Sequence, residues 1–234
     1  MYESVFMHDP NLHLLEAAAR LLEPLLDEVV FVGGCVTGLL ITDPATAGTR
    51  PTTDVDVIAE ICSYAEYAAL SDRLRELGLV QDAREGAPTC RWRNANSTID
   101  VMPIDEGVLG FANRWHLPAM DAAERVDLAG LTLRCIAPVY FVATKLEAFH
   151  DRGNGDYYAS HDLEDAITVV DGRDELVAEV LNAPRDVRAY VRDEFARLLR
   201  TKDFVDAMPG FLPPDEESQA RLRVLRQRLA ALVS

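Results

Sequence analysis

The chain has 234 residues, enough for one large domain or two small ones and for a core that needs no staples. Hydrophobic residues make up 49% and charged residues 26%, the balance of a globular protein. With 23 Lys and Arg against 39 Asp and Glu, the formal net charge is −16, which argues against a nonspecific nucleic-acid coat or a binder of anionic membranes. A local basic cleft remains compatible with that charge, and so does a cationic small molecule. Cys35, Cys62, Cys90 and Cys135 are scattered with no CxxC pair, so neither a zinc site nor a disulfide scaffold is expected. Reduced thiols and a cytoplasmic location fit better. The opening residues have no basic stretch followed by a long apolar run, so no signal peptide is expected, and no run is long enough for a membrane span.

Residues 10–22 predict a first helix, because Leu14, Leu15, Ala18, Leu21 and Leu22 recur at helical spacing. Asp9 is its expected cap, with Pro10 at the first position. Residues 29–32 form a short apolar strand closed by Gly33 and Gly34, and a short helix over 35–40 should follow. Residues 42–53 read as a loop that ends in DVDVIAE, where Val55, Val57 and Ile58 are strand formers. Ser63 is placed to cap a helix that runs to about 77 and stops at Gly78. Residues 90–93 and 98–102 predict two strands across a turn at 94–96. Another strand spans 131–135, and Pro138 opens a strong helix. From His161 onward four helices are predicted, over 162–170, 173–181, 184–199 and 216–232, with the linker MPGFLPPDEE before the last. A mixed α/β half, residues 1–137, is thus followed by a helical half, residues 138–234.

The sharpest local feature is Thr52-Thr53-Asp54-Val55-Asp56-Val57. Residues two apart on a strand face the same side, so Asp54 and Asp56 point together while the valines pack. Two such carboxylates repel unless a cation or proton intervenes. A hard divalent cation with oxygen ligands, Mg²⁺ beside phosphates, answers that problem. A solvated strand end with two unrelated acids is the plainer alternative. Gly33-Gly34 between strand and helix lets a phosphate approach backbone amides, or simply makes a tight turn. It is neither a Walker A loop nor a GxGxxG fingerprint. Asp100 alternates with Ile99 and Val101. If its strand lies beside that of Asp56, the three acids can hold two metals for phosphoryl or nucleotidyl transfer, with Asp100 on the first metal and able to take a proton. Asp105 is a weaker competitor for that role.

Lys145 lies on an otherwise apolar helix face with Phe141, Val142, Leu146 and Phe149. It either snorkels to water or meets the β- and γ-phosphates as a point charge. Arg152, two turns on, can share that side or cap the helix before Gly153. Asp162 and Asp165 share a face and can ion-pair with Lys145 or Arg152, or act only on the helix dipole. His161 binds a phosphate when protonated or merely begins the helix. Arg91, Trp92 and Arg93 can stack on a base or hold a nucleic-acid backbone. Their bland alternative is one core Trp and two solvated arginines.

In the order VGG, RPTTDVDV, TIDV, the chain resembles the polymerase-β-like nucleotidyltransferase superfamily. Within it the chain looks most like the AbiEii/AbiGii toxin group, whose signature is matched by Arg50 and Thr53 beside the acids and by Lys145, Arg152, Asp162 and Asp165 later on. His161 stands where that group usually has lysine. The resemblance implies an α/β (α+β) nucleotidyltransferase fold, a mixed β-sheet flanked by helices and followed by a helical C-terminal domain that contributes to the nucleotide cleft. It implies a Mg²⁺-dependent enzyme moving an NMP from an NTP to an acceptor hydroxyl, with two metal ions on Asp54, Asp56 and Asp100. Lys145 joins these acids as a catalytic residue, and Gly33, Gly34, Arg50, Thr53, Lys145, Arg152 and Asp162 bind the nucleotide. A toxin acting on the tRNA 3′ end, paired with a cognate antitoxin, is the implied biology. A nucleotidyltransferase acting on a small cationic acceptor such as an aminoglycoside, and a non-catalytic nucleotide-binding or protein-interaction module, are the alternatives. Modification of Thr53 would set a phosphate against the substrate's own phosphates.

Overall fold

A computed structural model describes residues 9–234. Among them the strands are β1 (Val29–Val32), β2 (Val55–Ala59), β3 (Val80–Gln81), β4 (Arg91–Arg93), β5 (Thr98–Met102), β6 (Glu124–Leu128) and β7 (Leu131–Cys135). The helices are α1 (Leu12–Leu21), α2 (Thr37–Leu40), α3 (Tyr64–Glu76), α4 (Glu106–Leu109), α5 (His116–Asp121) and α6 (Pro138–Arg152). They continue with α7 (His161–Gly172), α8 (Leu176–Asn182), α9 (Arg185–Arg200), α10 (Lys202–Ala207), α11 (Glu216–Ala220) and α12 (Leu222–Leu232). None is long and apolar enough to cross a membrane. The chain divides into two compact units. One holds Pro10–Val36 and Pro51–Ala137. The other holds Thr37–Arg50 and Pro138–Ser234, together with Asp9.

The first unit is built on a seven-stranded mixed sheet in the order β3-β4-β5-β2-β1-β7-β6. β2 runs parallel to β5 and β1 parallel to β7, and the remaining neighbours are antiparallel. β1 is buried at all four positions, as a central strand covered on both faces must be. α1 and α5 pack against the sheet, and Leu15, Leu22, Phe31, Ile58, Trp92 and Ile99 are fully enclosed. α3 starts where Ser63 accepts from the Glu66 amide and ends at Gly78, whose φ of +81° suits glycine. The β4–β5 turn is fixed by Asn94, whose side chain accepts from the Asn96 and Ser97 amides.

The N-terminus of α1 differs from expectation. Asp9 belongs to the other unit and accepts from the Thr49 hydroxyl. Asn11 takes the capping position but makes no capping bond. Its side-chain oxygen instead accepts from the Thr52 amide at 2.8 Å, tying α1 to the segment that carries the acids. β3 and β6 were not anticipated. β3 is two exposed residues, and β6 is an edge strand, Glu-Arg-Val-Asp-Leu, with little apolar alternation to read.

The second unit is helical. α6 buries nine residues and packs on α7 and α9, and α12 packs on α7. Arg173 closes α7 rather than opening α8, because its guanidinium grips Glu179 and the Leu40 carbonyl. The last helix, expected as one run, breaks at Arg221, whose side chain bonds Asp171 and Asp43 at 2.8 and 2.7 Å. The expected linker before it holds a turn of 3₁₀ helix, Met208–Phe211.

Asn11 is 1% exposed, so Asn11→Ala strands the Thr52 amide in a closed setting. We expect a loss of about 1–2 kcal/mol, read as a lower urea midpoint with unchanged slope.

Candidate active site

In the sheet unit, strand register brings the acids together. Asp56 on β2 is the register partner of Asp100 on β5, and Asp100 is the partner of Arg91 on β4. Cross-strand partners lie on one face, so Arg91, Asp100 and Asp56 form a polar row. The neighbouring row, Trp92, Ile99 and Val55, is wholly buried. Asp54 immediately precedes β2 and takes the Thr52 hydroxyl at 2.9 Å.

Arg91 binds two of the three acids. Its Nε and Nη2 donate to Asp100 at 2.8 and 2.7 Å, and Nη2 also donates to Asp54 at 2.6 Å. The Asp100 hydrogen bonds, with the charges of Asp100 and Asp54, outweigh burial and hold the guanidinium above its ordinary pKa. Arg91 was expected to be a solvated surface arginine or a nucleic-acid contact. It faces the acids instead, because β4 and β5 pair it with Asp100. Among the described residues no three acidic, histidine or cysteine side chains are gathered to hold a metal ion by themselves. The cation that joins Asp54 to Asp100 is this arginine. Cys90 lies close by, and burial, with the charges of Asp100 and Asp56, pushes its thiol up to about 12, so it is not a nucleophile at neutral pH.

Gly33 ends β1 beside this row with φ +71°. A Cβ there would sit 1.8 Å from Asp56 Oδ2, so only glycine lets the carboxylate lie against the backbone. The helix expected after Gly34 begins as a 3₁₀ turn, Gly34–Val36, and continues as α2, Thr37–Leu40. Thr53 is exposed. Asp105 caps α4 through the Gly107 amide.

In the helical unit the other expected residues form a ladder of alternating charge. Arg152 Nε and Nη2 donate to Asp162 at 2.7 and 2.8 Å. Lys145 Nζ lies 3.2 Å from Asp162 and 2.7 Å from Asp165, and Arg50 donates to Asp165 at 2.9 and 3.0 Å. Lys145 and both carboxylates are buried, whereas the Arg152 side chain is 71% exposed. Burial opposes ionisation of Asp162, but the Arg152 hydrogen bonds and the charges of Lys145 and Arg152 prevail and bring it down to about 2. Burial likewise opposes the charge on Arg50, and Asp165 outweighs it. His161 is exposed and meets Glu164 at 3.2 Å. Arg84 is held by Asp82 and Arg134 by the Asp27 and Met120 carbonyls, and Arg114 lies over Trp115.

No family model matches the chain, and no curated protein matches it in sequence. Among solved structures, an antigenic nucleotidyltransferase-like protein from Paracoccidioides brasiliensis aligns over 86% of this chain and 92% of its own at 17% identity and a TM-score of 0.50. The fold is nucleotidyltransferase-like. The antibiotic-resistance factor ANT(2'')-Ia aligns over 81% of this chain and 93% of its own at 17% identity, with a TM-score of 0.46, too distant a likeness to bear on function.

Gly33→Ala must strain a left-handed φ and push Asp56 aside. It should destabilise the chain by about 1–3 kcal/mol, measured by urea unfolding. For Asp162 the folded pKa of about 2 lies below the ordinary 3.8, so its stabilisation is present above pH ~4 and lost as the pH falls toward 2. The size is about 2 kcal/mol. Asp162→Asn should flatten that part of the acid-unfolding profile and cost about 2–3 kcal/mol at neutral pH.

Proposed function

We propose that the chain is a Mg²⁺-dependent nucleotidyltransferase moving an NMP from an NTP to an acceptor hydroxyl. The observation that carries this reading is the acid row. Asp56 and Asp100 are paired across parallel strands, with Asp54 drawn to Asp100 through Arg91, beside the Gly33 turn against whose backbone the Asp56 carboxylate lies. The donor set fits the ion in kind, since all three residues offer hard oxygens. When bound there, Mg²⁺ supplies Lewis-acid polarisation of the phosphate and of the attacking hydroxyl. Asp54 and Asp56 provide its ligands, and Asp100 serves as ligand and accepts the proton of the acceptor hydroxyl. The Gly33–Gly34 turn offers backbone amides to the phosphates. Arg152, the exposed cation of the ladder, is assigned phosphate charge, and Lys145 holds the carboxylates that anchor it. Asp162 fixes Arg152, and Asp165 with Arg50 fixes Lys145.

For the acceptor we propose the tRNA 3′ end, in a toxin paired with an antitoxin, on the motif resemblance around Arg50, Thr53 and Lys145. The net charge of −16 favours a second reading, transfer to a small cationic acceptor such as an aminoglycoside, which the protein's field would collect.

The test is transfer of label from each α-³²P-NTP with Mg²⁺ onto total tRNA and, separately, onto aminoglycosides. Labelled product should fall by more than about a hundredfold in Asp54→Ala/Asp56→Ala. Labelled tRNA would favour the first acceptor and labelled aminoglycoside the second. Unchanged transfer in the double variant would sink the acid-row assignment. No transfer at all, with NTP still bound, would leave a non-catalytic nucleotide-binding module.

A further inference from the structure

The acids proposed to hold metal already hold a cation of the protein's own. Arg91 takes both oxygens of Asp100 and one oxygen of Asp54. We infer that Arg91 is a built-in counter-cation that keeps these acids together in the absence of metal and must leave both before a divalent ion binds them. The inference rests on the metal-dependent reading of the acid row.

Three observations carry it. The guanidinium sits on the oxygens a metal would use, and Mg²⁺ demands near-octahedral oxygen ligation and repels a neighbouring cation. An arginine keeps its charge at any pH where the chain is folded, so Arg91 cannot step aside by losing a proton. Vacating the acids therefore means moving the side chain. The side chain also has room to move. The Arg91 backbone is held, with the carbonyl accepting from the Asp82 amide at 2.9 Å, but its side chain is 23% exposed and reaches solvent. The grip is a fork, two donors on one carboxylate and one shared with the next, which lysine cannot reproduce. Departure of Arg91 also releases both Asp100 oxygens, and a carboxylate that is to receive a proton needs at least one.

The test measures metal binding directly, without nucleotide or turnover. Free Mn²⁺ is titrated by room-temperature EPR against the whole chain as wild type, Arg91→Gln and Arg91→Lys. The Asp54→Asn/Asp100→Asn pair is made in each background. We expect Arg91→Gln to bind acid-dependent Mn²⁺ at least tenfold more tightly than wild type, with Arg91→Lys in between. Melting temperatures should add a second signature. Without metal Arg91→Gln melts below wild type, and it gains more from added Mn²⁺. Arg91→Lys keeps the charge while losing the fork, so it decides the matter if Arg91→Gln does not fold. Equal acid-dependent affinity in wild type and variants overturns the role of Arg91 and leaves the metal reading standing. Weaker binding in the variants overturns it too, making Arg91 a residue that positions the ligands. No acid-dependent Mn²⁺ binding in any background removes the metal reading and this inference together.

Discussion

Like charges on adjacent strands set the terms for the sheet unit. Neighbouring strands lie about 5 Å apart, where two carboxylates repel by about 3 kcal/mol at an effective dielectric of about 20. Net domain stability is only about 5–15 kcal/mol, so a row of acids is affordable only with a cation built into it. Arg91 meets that need at the register position where β4 faces Asp100. The rest of the local structure follows. Gly33 is bare so that Asp56 can lie against the backbone, Thr52 turns its hydroxyl to Asp54, and Asn11 holds the Thr52 amide. On the opposite face Trp92, Ile99 and Val55 fix the register by burial, since a slip of one residue would exchange the polar and apolar rows.

The helical unit faces the same electrostatic problem with the signs interleaved. A buried lysine without partners would shed its charge. Lys145 instead lies between Asp162 and Asp165, each of which also holds an arginine. The order Arg152, Asp162, Lys145, Asp165, Arg50 alternates strictly, so each interior member has opposite charges on both sides. Both carboxylates project from α7 three residues apart, the spacing that puts them on one helix face. Lys145 is thus not a snorkelling lysine. Its ammonium is fixed inside the unit, and the charge nearest solvent in the ladder is Arg152.

Local chemistry was legible in the sequence, and pairing was not. The Ser63 cap, the Gly78 stop, the turn after Asn94 and the strong helix from Pro138 are set by residues within a few positions of one another, so spacing reveals them. Arg91 is different. Its role depends on the register of β4 against β5, which the Asn94–Ser97 turn sets. Counting outward from that turn, with Arg93 facing Thr98, puts Arg91 opposite Asp100, so the signal was present but only as a pairing. β3 and β6 left no trace because short or charged edge strands lack apolar alternation. The assignment of Thr37–Arg50 to the helical unit rests on contacts distant in sequence, such as the Thr42 and Asp43 amides on the Gly172 carbonyl.

The same pairings bear on the proposed acceptors. A chain of net charge −16 attracts an anionic polymer only where cations are left to face it. Arg91, Arg50 and Arg84 each hold a carboxylate, and Arg134 is spent on backbone carbonyls. Pairing cancels most of the far field of an arginine even when its side chain is partly open, because the dipole that remains falls off faster than a charge. Added salt would then screen a net repulsion between this chain and tRNA, the reverse of the steep weakening that counterion release gives a basic nucleic-acid binder. For a polycationic small molecule the sign inverts, and low salt helps capture. The salt dependence of association therefore separates the two proposed acceptor classes on electrostatics alone.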